Sequence, residues 1–408
     1  MNNMRTELYK KPIIEISKNL LFLLIISINL REPYFHTREL LFFLFIFFSI
    51  PFGNYKKIIN ILLYLTIWGV SLIYNVIVPG SNVIDGVWFQ GIIISSYLFL
   101  MVFSTKEYRD VIIKGFITSA TIVSIITIIL WLVCWFIPAI RTALIAYFSL
   151  LYEKTNLSFI GIDTRMIVGI PFFFVWYRTI PIVIPALGYF YVKRLKGQKT
   201  RKNAFYIIIY TIALILSGTR ADILVAFMLL FFYIAFFLMQ KHRFFIAICI
   251  VLAGLYGGLM AANAFLHDKG SNSTAIKTLH QISYFNTFDS DLIRTIFFGW
   301  GYGSTFYTLG RNKFVDVTEL SHWESIRRYG FISFIMIMTC IWLKPLINIF
   351  IKEKYVIRYF YIIWVLSFVF VACTNPYLLD SLGFCVLLFF DVCFQFDVST
   401  TKKRITHD

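Results

Sequence analysis

The chain has 408 residues, of which 59% are hydrophobic, 19% aromatic and only 14% charged. A soluble globular protein carries roughly a quarter of its residues as charges, so a water-surrounded fold is excluded. The apolar content matches about twelve membrane helices of about 20 residues each. The excess of 38 Lys and Arg over 21 Asp and Glu, a net +17, then reads as an orientation signal rather than as a nucleic-acid surface.

At the N-terminus Arg5, Lys10 and Lys11 precede the run LLFLLIISI, as in a signal peptide. INLREP follows in place of a small-residue cleavage site, which predicts a retained first helix. Apolar runs broken by charge clusters then predict twelve spans, at 19–30, 39–53, 58–78, 88–104, 112–137, 168–192, 203–217, 222–240, 244–266, 331–350, 356–373 and 381–398. The expected fold class is an all-α polytopic integral membrane protein forming one transmembrane domain, 1–408. With the N-terminus in the cytoplasm, 24 of the 38 Lys and Arg lie in cytoplasmic segments, whereas the short outer loops hold only Arg31, Arg38 and Arg220. Short loops decide topology, so both termini are expected in the cytoplasm. The six cysteines fall inside or at the ends of apolar runs and predict neither a disulfide framework nor a metal site.

Two outer segments exceed a tight turn. Residues 138–167 form the smaller loop, whose stretch RTALIAYFSLLY is amphipathic and suited to the membrane surface. Residues 267–330 form a 64-residue loop between spans nine and ten, far longer than a connection requires. Its content of Tyr284, Trp300, Tyr302, Tyr307 and Trp323 among mixed charges predicts a folded segment.

In LILSGTRADIL, Arg220 and Asp222 occupy a tight outer turn opened by Gly218. Arg220 either snorkels to the headgroups or grips a lipid-linked phosphate in bidentate fashion. FFGWGYGSTFYTLG has the spacing of a phosphate cradle but follows no strand, which favours a turn set by Gly299, Gly301 and Gly303. TELSHWESIRRYG brings Glu319, His322, Glu324, Arg327 and Arg328 together before span ten. On a helix these residues form either ordinary ion pairs or an acid/base group beside a cationic anchor. Lys277, His280 and Arg294 add polar groups upstream with the same two readings. Arg178, about ten residues into the span at 168–192, is a costly intramembrane charge that suggests a polar cavity continuing from Arg165. Asp391, near the cytoplasmic end of the last span, is explained by snorkelling to the interface.

Over roughly residues 160–380 the chain resembles the O-antigen and capsule polysaccharide polymerase family, which shares its architecture with the O-antigen ligases. The resemblance lies in the order of features: a basic cytoplasmic loop, the SGTR turn, the long outer loop, FGWGYGS, TExxxxExIRxxG and a TNP turn at Thr374–Pro376. It implies a glycosyltransferase of the inner membrane that joins undecaprenyl-diphosphate-linked oligosaccharides at the outer face, as in lipopolysaccharide biosynthesis. No cofactor and no nucleic acid are implied; the implied partners are the lipid-linked oligosaccharides, membrane lipids and a chain-length regulator. By the same resemblance Arg220 matches the diphosphate-holding Arg of the family's SR turn, Arg165 a basic residue at the edge of the smaller loop, and His322 lies near the essential His of the ligases. Trp323 after that His, and a lone Gly330 beyond it, depart from the ligase pattern. The expected catalytic groups are His322, Glu324 and Glu319, and the expected substrate-binding groups are Arg220, Arg165, Arg294, Arg327, Lys277, His280 and Arg178. A ligase and a flippase of lipid-linked oligosaccharide are the alternatives; a flippase should show pseudo-symmetric halves, whereas here the polar residues concentrate in one outer loop.

Overall fold

A computed structural model describes residues 2–30, 37–77, 95–155, 160–167, 170–267, 272–301, 304–318, 320–343, 355–373 and 377–396. In chain order the main elements begin with α1 (Asn2–Leu30), α2 (Thr37–Ser49), α3 (Ile58–Ile77), α4 (Arg109–Phe136) and α5 (Pro138–Thr155), followed by strands β1 (Ile160–Ile167) and β2 (Ile170–Tyr177). Next come α6 (Val183–Leu195), α7 (Arg201–Leu216), α8 (Arg220–Met239), α9 (Phe244–His267) and α10 (Asn272–Ser290). A π-helical turn (Arg294–Phe298), β3 (Phe306–Thr308) and β4 (Lys313–Val315) lead to α11 (Ser321–Tyr329), α12 (Phe331–Ile337), α13 (Tyr355–Cys373) and α14 (Ser381–Phe396).

Helices dominate because an apolar chain out of water can satisfy its peptide groups only within itself. Among the described residues, four helical stretches are long and apolar enough to cross a membrane: Lys11–Leu30, Tyr55–Tyr74, Arg109–Phe136 and Arg220–Met239. A fifth is counted if α11 and the helix after it, bent by 115° at Gly330, form one span. Phe43, Phe47, Ile73, Phe136 and Phe245 are exposed, as on a helical membrane protein whose outer surface meets lipid.

The helical class holds for most of the chain, but the all-α expectation is corrected by two antiparallel hairpins. The larger one removes the first half of the expected span at 168–192. Residues 170–177 are β2, paired with β1 from Ile160↔Tyr177 to Ile167↔Ile170, and the helix begins only at Val183. A continuous apolar run such as IPFFFVWY has the same hydropathy as a buried helix, and its aromatic and β-branched content favours the strand once a partner is present. Phe173 and Val175 pack with Cys134, Leu130 and Trp131 of α4, and the Trp131 indole donates to the Phe173 carbonyl at 2.9 Å. Of the expected span at 88–104, the described part contains a 3₁₀ segment, Tyr97–Phe103, and residues 78–94 lie outside the described residues.

The chain gathers into two compact units. The first comprises Met1–Gly115, Asn272–Lys352 and Ala372–Asp408, and the second Phe116–Ser271 and Glu353–Val371. Each has one helix buried on every face, as apolar helices at the centre of a bundle are. In the first it is α14, buried from Ser381 to Phe394, and in the second it is α6, buried from Val183 to Val192. Within the second unit the Trp364 indole donates to the Pro185 carbonyl at 3.0 Å. It sits over Gly188, where a Cβ would lie 2.0 Å from its ring; only glycine permits this helix–helix approach.

Candidate functional site

In the first unit, the described residues of 272–330 fold around Tyr284, Phe288, Phe306, Val315, Leu320 and Ile326, with Trp300 and Trp323 packed against them. The glycine-rich segment is a packing device. Gly299, Gly301 and Gly330 all have positive φ (68°, 82° and 84°), which glycine adopts without penalty. The Trp300 and Gly301 amides donate to the Arg327 and Arg328 carbonyls at 2.6 and 3.1 Å, so these N–H groups are already used within the protein. A Cβ on Gly299 would lie 2.4 Å from the Arg328 carbonyl carbon, and one on Gly330 2.7 Å from that of Phe297.

Three of the expected site residues prove to hold this lobe together. The buried Glu324 carboxylate accepts from Arg327 Nη2 at 2.6 Å and Nε at 3.2 Å, from Arg328 Nε at 2.5 Å and from the Tyr284 hydroxyl at 2.6 Å. Desolvation would raise its pKa, but these two guanidinium groups outweigh it and hold the pKa down at about 2, so it is an anion at neutral pH and a poor base. Arg327, fully buried, also donates to the Ser304 carbonyl at 3.0 Å, the Ser304 hydroxyl at 2.6 Å and the Asp316 carbonyl at 2.8 Å, and its guanidinium lies 4.7 Å over the Phe306 ring. The buried His280 hydrogen-bonds through Nδ1 to the Thr308 hydroxyl and so ties α10 to β3. Lys277 is half-buried one turn earlier on α10. Glu319 lies outside the described residues.

His322 and Arg294 are arranged differently. His322 Nδ1 is 3.2 Å from the Cys373 carbonyl. A carbonyl can only accept, so Nδ1 carries the proton and Nε2 keeps its lone pair. Burial lowers the imidazole pKa below its usual 6.5, which keeps the ring neutral at pH 7. Arg294 is 7% exposed, lies 5.6 Å over the Tyr74 ring and pairs with Asp291 only at 3.5 Å. Its Nε and Nη2 are buried without a hydrogen-bond partner. A buried cation with unused donors is costly unless an anion arrives to use them. Tyr74 is held for this contact by stacking on Phe298 at 4.3 Å.

The second unit carries the remaining arginines. Gly218, at φ 64°, would place a Cβ 2.2 Å from that of Phe174, so the turn before α8 is pressed against β2. This sets the half-buried Arg220 at the first position of α8, next to the buried Asp222, which accepts from the Ser217 hydroxyl at 3.4 Å. Arg165 stands on β1 opposite Phe172. The expectation that Arg178 lies ten residues inside a membrane helix is corrected: it occupies the turn after β2, because strand pairing ends at Tyr177 and the helix starts five residues beyond Arg178.

Sequence reasoning missed Tyr74, Tyr284 and the Cys373 carbonyl as neighbours of these groups. Tyr74 and Tyr284 are apolar-run and loop aromatics like many others, and a backbone acceptor has no sequence signal. No family model, curated protein or solved structure matches this chain.

Proposed function

We propose that the chain is a polysaccharide polymerase of the O-antigen type, a twelve-span inner-membrane protein with both termini in the cytoplasm and residues 267–330 at the outer face. The observations that support this reading are a neutral His322 with a lone pair on Nε2 and, elsewhere in the same outer segment, a buried Arg294 whose Nε and Nη2 have no hydrogen-bond partner. Transfer of a glycan from a lipid diphosphate to a hydroxyl requires a base and a cation of this kind.

In the proposed reaction, a hydroxyl oxygen of a new lipid-linked repeat unit attacks the anomeric carbon at the reducing end of the growing chain. The bond from that carbon to the diphosphate oxygen breaks, its electron pair leaves with undecaprenyl diphosphate, and the hydroxyl proton passes to His322 Nε2. Arg294 stabilises the charge developing on the departing diphosphate. By the resemblance of its turn to the family's SR turn, Arg220 of the second unit is assigned to holding a lipid diphosphate. Glu324 and Arg327 act as the frame of α11, given their mutual hydrogen bonds.

The test is the glycan ladder of a deletion strain complemented with variants. Loss of the chain should leave single repeat units attached at the cell surface. Long unattached chains on the carrier would identify a ligase instead, and lipid-linked units held at the cytoplasmic face a flippase. His322→Ala, Arg294→Gln and Arg220→Ala should each abolish polymer while protein remains in the membrane. A full-length ladder from any one of them removes that residue from the mechanism.

A further inference from the structure

A cavity of about 290 Å³ in the first unit belongs to none of the chemistry above. It lies between the segment before α3, the 3₁₀ turn at 97–103, the helix around Ile341 and the end of α14. Asp391, expected to snorkel to the interface, is instead 5% exposed and lines it. Its Oδ2 receives Lys57 Nζ at 2.6 Å and the Ser104 hydroxyl at 2.5 Å, and its Oδ1 receives Gln395 Nε2 at 2.7 Å.

Lys56, Lys57 and Asp391 are the three charged residues in the lining. The Lys57–Asp391 pair is internally neutral, so the cavity keeps one positive charge, on the exposed Lys56. The amide side chains of Asn54, Asn60 and Gln395 share the lining with it, as do the apolar Ile61, Leu98, Ile341 and Leu387. The polar groups suit a phosphate ester and its hydroxyls, and the apolar ones suit hydrocarbon. The same helix that supplies Asn60 and Ile61 exposes Ile59 and Leu62 at 66% and 52%, so the apolar surface continues outward from the cavity. A basic pocket between membrane helices, at the end where lysines gather, is the usual form of a phospholipid headgroup site.

We infer that this cavity binds the glycerol phosphate headgroup of an anionic membrane phospholipid, with Lys56 and the lining amides on the phosphate and the acyl chains along Ile61 and the outer face of α3. The site is independent of the proposed polymerase chemistry. Bound lipid would tie α3 to α14 across the cavity and so brace the first unit.

The experiment uses the full-length chain purified in detergent, with native mass spectrometry counting retained lipid and thermal unfolding measured on the same samples. Phosphatidylglycerol should be retained in preference to phosphatidylcholine and should raise the unfolding temperature. Lys56→Gln should weaken that retention about fivefold, as expected for one lysine at a lipid phosphate, and Lys56→Arg should restore it. Met101→Trp, which fills the cavity from its wall, should abolish retention while keeping the charge. Equal retention by wild type and Lys56→Gln, or equal retention of the two lipids, overturns the proposal. Glycerol 3-phosphate or inorganic phosphate alone producing the full thermal shift overturns it too, since the site would then bind a soluble anion. Because Lys56 is exposed and forms no part of the frame, a folded Lys56→Gln protein is expected, and its unfolding curve without lipid confirms it.

Discussion

Two residues two positions apart in sequence show how burial separates roles that spacing cannot. Glu324 and His322 sit on the same short helix, and both are credible bases by residue type. Three donor groups bind Glu324, whereas His322 has one backbone acceptor. Removing the charge of Glu324 by Glu324→Gln leaves two arginines against a neutral group, and breaking such a buried pair costs about 3–5 kcal/mol. Thermal unfolding should show the loss, and an unchanged midpoint would refute the framing role. The pH dependence has a definite sign. The folded pKa is depressed to about 2 from the usual 4.5, so the stabilisation is complete above the ordinary carboxylate range and disappears as pH falls from there through 2. For His322 the depressed pKa predicts that polymerisation by membranes falls to half its rate only at a pH below 6.5. A midpoint above 6.5 would assign the titration to another group.

Among elements, a close approach of backbone to backbone joins the turn at 297–301 to the end of α11. It depends on Gly299 and Gly330, because each has positive φ and faces backbone where a Cβ would sit. Gly330→Ala combines a conformational penalty of about 1–3 kcal/mol with a collision that no side-chain rotation relieves. Limited proteolysis should cut residues 272–330 faster in this variant, and wild-type resistance would show that the turn can shift. Gly218 has the same conformational demand, but its obstacle is the Phe174 side chain. Gly218→Ala should therefore be rescued in part by Phe174→Ala, and expression level and unfolding temperature report the rescue. The sequence pattern SGTR and the triple-glycine run marked both turns. It did not indicate that what fills the space is protein backbone in one case and a β-strand in the other, because the facing segments are distant in sequence.

For the molecule as a whole, the orientation proposed from the distribution of Lys and Arg makes a direct prediction. Reporters active only outside the cytoplasm should work when fused within 275–290 and fail when fused after residue 400, and the reverse pattern would invert every assignment. The apolar excess and the few charges were enough to determine a predominantly helical, membrane-compatible chain, since hydropathy is a sum over residues and needs no partners. The folded nature of the described residues of 272–330 was legible through their aromatic content. Tertiary structure alone decided that 170–177 is a strand, that Arg178 lies in a turn, that Asp391 meets Lys57 and that Arg294 is buried over Tyr74 with donors unused. Each of these depends on which distant residue supplies a hydrogen bond, a countercharge or a ring face. Composition and periodicity describe a segment's own surface, whereas burial and pairing are properties of two surfaces brought together.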